Sequence, residues 1–105
     1  MPIPSYVTLC TAPVGQAEEL ASVLVERRLA ACVNIVGSVQ SVYRWEGEVT
    51  KDSESLLIIK TTRGTLTKMQ EELVRSHPYD VPEVISFEID SGYAPYLDWI
   101  RASVG

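Results

Sequence analysis

The sequence predicts an α+β domain built on a split β-α-β repeat, an antiparallel sheet with helices on one face. Three observations carry this expectation. Four segments show strand-like runs of apolar and β-forming residues, and the segments between them carry apolar residues at helical spacing. Their order is β-α-β-β-α-β, followed by one further helix. At 105 residues the chain is expected to be a single domain spanning 1–105.

The first strand is residues 5–12, an alternating run of β-formers stopped by Ala12-Pro13-Val14-Gly15. Residues 16–30 place Ala17, Leu20, Ala21 and Leu24 on one stripe and form the first helix. Residues 32–45 read as one long strand, interrupted at Gly37, where a bulge or bend is expected. Beyond it Val39, Ser41, Tyr43 and Trp45 share one face, and Val42 and Arg44 take the other. Glu46-Gly47-Glu48 forms a hairpin tip. The return strand runs through Val49 and then 54–62. Its run Leu56-Leu57-Ile58-Ile59 predicts a central strand buried on both faces.

Thr65 or Thr67 is expected to cap the second helix, Thr67 with Gln70 forming a capping box. Leu66, Met69, Leu73 and Val74 make its stripe, and His77-Pro78 ends it. Residues 82–90 give the fourth strand, with Ile85, Phe87 and Ile89 inward and Ser86 and Glu88 outward. A last helix covers 93–103, with Tyr93, Tyr96, Leu97 and Ile100 on one stripe. The helices cover one sheet face, leaving Tyr43 and Trp45 on an uncovered one. These two are expected to anchor contacts between subunits.

Nine basic residues against fourteen acidic ones leave a net charge of −5. That balance argues against a nucleic-acid partner, which needs a clustered basic surface. It suits cations, small molecules or proteins. No apolar run reaches membrane-spanning length, and the first residues lack the features of a signal peptide. Two cysteines, Cys10 and Cys32, do not make a disulfide scaffold, so the expected compartment is the reducing cytoplasm.

Six segments, in order and at matching spacing, carry a resemblance. They are Val7-Thr8-Leu9-Cys10-Thr11-Ala12-Pro13, Arg28-Leu29-Ala30-Ala31-Cys32-Val33-Asn34 and Ser41-Val42-Tyr43-Arg44-Trp45-Glu46-Gly47. Leu57-Ile58-Ile59-Lys60-Thr61-Thr62, His77-Pro78-Tyr79-Asp80-Val81-Pro82-Glu83 and Tyr96-Leu97-Asp98-Trp99-Ile100 complete the set. Together they resemble the CutA family of divalent-cation tolerance proteins, over about residues 6–101. The resemblance implies a ferredoxin-like fold, a homotrimer and a link to copper or another divalent cation. It also implies a signalling role like that of the trimeric PII proteins. It assigns copper ligation to Cys10 and His77. Ser76 departs from the pattern, because a hydroxyl is a poor copper ligand where the family has a second imidazole.

The residues by themselves leave alternatives open. No CxxC, HxH or HxxxH spacing exists. Cys10 also reads as a core residue and His77 as a helix-terminal imidazole. Lys60, Tyr79, Glu83 and Arg44 stand near strand ends or in loops, where a subunit cleft could gather them into a small-ligand or anion site. The same groups also read as interface aromatics and ion pairs. With one His and no Gly-rich loop, standard enzyme templates find no match, and no reaction is expected. The protein is read as a metal-linked binding or signalling module. A regulatory module with a small ligand in its clefts, or a partner-docking trimer, is the alternative.

Overall fold

The computed structural model describes residues 2–105. Its elements are β1 (Ser5–Ala12), a single 3-10 turn (Val14–Gln16), α1 (Ala17–Glu26), β2 (Cys32–Trp45), β3 (Glu48–Thr62), α2 (Arg63–Ser76), β4 (Ile85–Glu88) and α3 (Ala94–Ser103). The sheet order is β2-β3-β1-β4, and every pairing is antiparallel. This is the split β-α-β arrangement the sequence predicts, with β3 central. The molecule is elongated, 47 × 25 × 22 Å, because β2 and β3 form a long hairpin.

Strand alternation sorts the side chains onto two faces. Thr8, Cys10 and Ala12 of β1 and Leu57 and Ile59 of β3 lie under the helices. They pack with Leu20, Ala21 and Leu24 of α1 and Met69 and Leu73 of α2 into one core. The opposite face carries Val7, Leu9, Thr11, Glu54, Leu56, Ile58 and Lys60. Leu56 and Ile58 are half-buried there, so the four-residue run of β3 is fully buried on the helix side only.

β2 changes phase partway along. The pairing with β3 shifts between Val36 and Val39, a bulge at the expected Gly37. Ser55 Oγ donates to the Gly37 carbonyl at 2.9 Å and holds the bulge. Beyond the shift Val39, Ser41, Tyr43 and Trp45 pair with Glu54, Asp52, Thr50 and Glu48, and all share the open face. The hairpin closes through Glu46 and Gly47, both at positive φ.

Five local expectations are corrected. α1 ends at Glu26 rather than residue 30, because Arg28 adopts φ 60° and Leu24 O accepts the N–H groups of Leu29 and Ala30. β3 is unbroken from Glu48, since pairing to β2 overrides the polar composition of residues 50–53. α2 begins at Arg63, directly after β3, so Thr67 is interior and forms no capping box; Gln70 instead donates to Ser86 Oγ at 2.9 Å. β4 shows the expected alternation with inverted phase. Ser86 faces the helices, 2.6 Å from Thr8 Oγ1, while Ile85 and Phe87 are 54% and 50% exposed on the open face. Val74, counted on the core stripe of α2, is likewise exposed.

α3 stands apart from the core cluster. Its Ile100 is fully buried, and its Tyr96 lies beside Cys32, which pairs with Lys60 at the far end of the open face. The rest of that face, from Val36 to Trp45, is left without a covering layer.

Candidate functional site

Cys10 and His77 are brought together, at a backbone carbonyl. His77 Nε2 lies 2.8 Å from Thr11 O, and the Cys10 thiol reaches the same oxygen at 3.5 Å. The Tyr79 N–H donates to His77 Nδ1 at 3.1 Å. Nδ1 therefore spends its lone pair as an acceptor, and Nε2 carries the proton that it donates to Thr11. Both ring nitrogens are committed, and the ring lies tilted against Tyr79, with centroids 4.7 Å apart and planes at 51°. Burial pushes the Cys10 thiol up to about 12, with the Glu83 and Glu54 carboxylates adding to the rise. To ligate a metal, a cysteine must be a thiolate and a histidine must offer a free ring lone pair. The pair does not fit copper in this arrangement; it fastens the end of α2 to the end of β1.

Ser76 is also spent. Its hydroxyl donates to Glu72 Oε2 at 2.7 Å, in a group where Glu72 also accepts from Arg27 Nη1 at 2.5 Å and from Arg75. Cys32 is half-buried near Asn34 and Tyr96.

A cavity lies on the open face. The chain turns at Pro78 after α2, and the segment 78–83 folds beside the hairpin. Between them runs an open cleft of about 660 Å³. Tyr43 and Trp45 of β2, Glu54 of β3 and Thr11 of β1 form one side. Tyr79, Asp80 and Glu83 form the other. Tyr43 donates a short hydrogen bond to Asp52, and Tyr79 donates to Glu54 Oε2 at 2.8 Å. Glu54 is only 6% exposed although charged. Burial and the Glu54 carboxylate hold the Tyr79 phenol well above its usual range, so it stays a proton donor.

Of the expected cleft residues, Tyr79 and Glu83 line this cavity. Lys60 and Arg44 do not line this cleft within one chain. Lys60 bonds Asn34 at the other end of the open face. Arg44 sits on the opposite side of the hairpin and curls to the Gly47 carbonyl at 3.4 Å. Sequence reasoning missed Glu54 and Asp80. Glu54 carried a usable signal, a charged residue at an alternation position of an apolar strand opposite Val39.

The CutA1 divalent ion tolerance protein family matches residues 6–103. The chain belongs to that family. The divalent-cation tolerance protein CutA of Thermus thermophilus is 48% identical over 100 residues, 94% of this chain and 97% of that one. The chloroplastic CutA protein of Arabidopsis thaliana is also 48% identical, over 96% of this chain but 56% of its own length. This chain thus spans nearly all of the bacterial CutA and about half of the plant one. Among solved structures, the Thermus thermophilus Cut A1 protein superposes with a TM-score of 0.92 at 47% identity, covering 96% and 99% of the two chains. A PII-like protein CutA from Nostoc superposes with a TM-score of 0.91 at 29% identity, covering 95% and 97%.

Proposed function

We propose that this CutA protein is a self-associating, non-catalytic tolerance protein that binds an effector at the hairpin cleft and reports it through its assembled state. The observation that carries the reading is the open sheet face, where Val36, Tyr43 and Trp45 on one edge strand and Ile85 and Phe87 on the other are exposed. A domain this small gains from covering such a surface, and three chains around a common axis close it symmetrically. The likeness to a PII-like CutA structure supports the regulatory sense of the reading. The thiols Cys10 and Cys32 are both free, which fits the reducing cytoplasm.

In this reading Cys10 and His77 are structural and the cation response runs through the cleft. Light scattering tests the assembly: a trimer weighs three times the 11.6 kDa chain. Copper titration tests the site. Wild type, Cys10→Ser and His77→Ala are expected to show the same stoichiometry and affinity. Loss of tight copper binding in both variants would return the metal to that pair, and a monodisperse single chain at micromolar concentration would sink the assembly.

A further inference from the structure

We infer that Lys60 of the partner subunit enters the hairpin cleft when chains assemble and pairs there with Glu54. The inference rests on the proposed closure of the open face by further copies, and it names the contact that orients them.

Glu54 supplies the first argument. It is 6% exposed, and its hydrogen-bond partner is the neutral Tyr79 hydroxyl. A carboxylate can accept about four hydrogen bonds, so room remains for an ammonium group. Among the described residues no basic side chain pairs with it, although Glu72 and Glu88 each have an arginine. A neighbouring chain seated on Tyr43 and Trp45 withdraws the cleft from water. A carboxylate enclosed in that way without a counter-charge opposes assembly. Asp80 and Glu83 line the same cleft and add to the need for a cation.

Lys60 is the second. The chain has nine basic residues. Strand alternation places one of them, Lys60, among the open-face positions of the sheet. Arg44 and Lys51 alternate to the other side of the hairpin, and Lys68 lies on α2. The remaining arginines bond to carboxylates or carbonyls of their own chain. Lys60 bonds the neutral Asn34, and among the described residues no carboxylate pairs with it.

Distance is the third. Glu54 and Lys60 stand six positions apart on β3. Six residues along a strand span about 20 Å, beyond the reach of the two side chains. The pair therefore cannot close within one chain. One end of the open face is acidic and the other carries the lysine. Chains arranged head to tail lay the basic end of each on the acidic end of the next, and a ring of three satisfies every pair. Charges placed in this way fix register and orientation.

The test is a double-mutant cycle on assembly. Light scattering follows a dilution series of the intact protein, with circular dichroism on each variant. Lys60→Met keeps the apolar stem and removes the charge. It should weaken association about tenfold at each interface, hence about a thousandfold in the dissociation constant of a trimer with three such contacts. Glu54→Gln should weaken it to a similar extent, and the double variant no further than either alone. Additive losses, or a Lys60→Met protein that assembles like the wild type, overturn the inference; a wild type of trimer mass then leaves the assembly reading standing. Should Glu54→Gln lose its fold, the lysine variants decide. Loss in Lys60→Met with retention in Lys60→Arg supports the pair, and any other pattern overturns it. A wild type that stays a single chain at every dilution overturns both the inference and the assembly reading.

Discussion

The Tyr79 hydroxyl donates to Glu54 Oε2 at 2.8 Å and thereby ties the segment after α2 to the middle of β3. One bond links a residue of the loop to the buried carboxylate of the cleft. Tyr79→Phe should cost about 1 kcal/mol of stability, since the carboxylate loses a hydrogen bond but can draw water from the cleft. Chemical denaturation of wild type and variant measures it. The pH dependence has a definite sign. The Tyr79 phenol is raised above its ordinary value of 10.0 by burial and then by Glu54. Its contribution is therefore present below pH 10 and is lost as pH rises beyond it, as the unfolded chain ionises first. Tyr43 and Tyr96 are raised as well, so tyrosinate absorbance should show Tyr79 among the late-titrating phenols, and Glu54→Gln should advance its part of the titration.

Cys10 should be chemically silent. Its thiol is pushed from 9.0 up to about 12 by burial, then by Glu83 and Glu54. An aromatic disulfide reagent at pH 8 should modify half-buried Cys32 well before Cys10, with the second thiol released only on unfolding. Stability from the protonated thiol is complete below pH 9 and decays between pH 9 and 12. Rapid reaction of two thiols in the folded protein would contradict this burial.

Glu72 should govern acid resistance. It sits on α2 between Arg27 of α1 and Arg75 of its own helix, with Ser76 donating to its other oxygen. The Ser76 hydrogen bond, then Arg75 and Arg27, hold its carboxyl below 4.5 against the opposing effect of burial. The stabilisation is present above pH 4.5 and is lost as pH falls below it. Glu72→Gln should raise the midpoint pH of acid unfolding, and Ser76→Ala should do so to a smaller extent. An unchanged acid profile in both would mean that the two helices are held by packing alone.

Trp45 is 47% exposed on the open face and Tyr43 is 40% exposed beside it. If the face closes against neighbouring chains, Trp45→Ala should cost about 2 kcal/mol per subunit of association energy. Dilution-dependent light scattering should show the variant dissociating at concentrations where the wild type remains assembled. An equal mass at every dilution would remove the anchor role.

Gly47 has φ +82° at the hairpin tip. Gly47→Ala meets no neighbouring atom, yet should cost about 1 kcal/mol from backbone strain alone. Gly15→Ala also meets nothing, and Gly15 has no positive φ, so it should be close to neutral. Thermal melts of the pair separate conformational strain from crowding.

The strand–helix order, the central place of β3 and the bulge at Gly37 were all legible along the chain. Each is a short-range consequence of side-chain period or of a residue without Cβ. The alternation of Ile85, Ser86 and Phe87 was legible too, but its phase was not. A period of two says that neighbours face opposite ways; it does not say which way the helices lie. Thr8 and Gln70, both distant in sequence, decide that Ser86 faces the helices. The cleft shows the same division. Tyr79 and Glu83 lie in a motif visible in the sequence, whereas Glu54 joins them only through the register of β3 against β2.

By itself the sequence determined the class of fold, the family and the long hairpin, because these follow from local period, turn chemistry and motifs in fixed order. Tertiary structure alone decided that both nitrogens of His77 are occupied, that Lys60 and Arg44 lie away from the cleft of their own chain, and that a buried carboxylate faces it without a cation. Those facts depend on which atoms arrive within about 3 Å of one another, a distance set by long-range pairing that no single segment encodes.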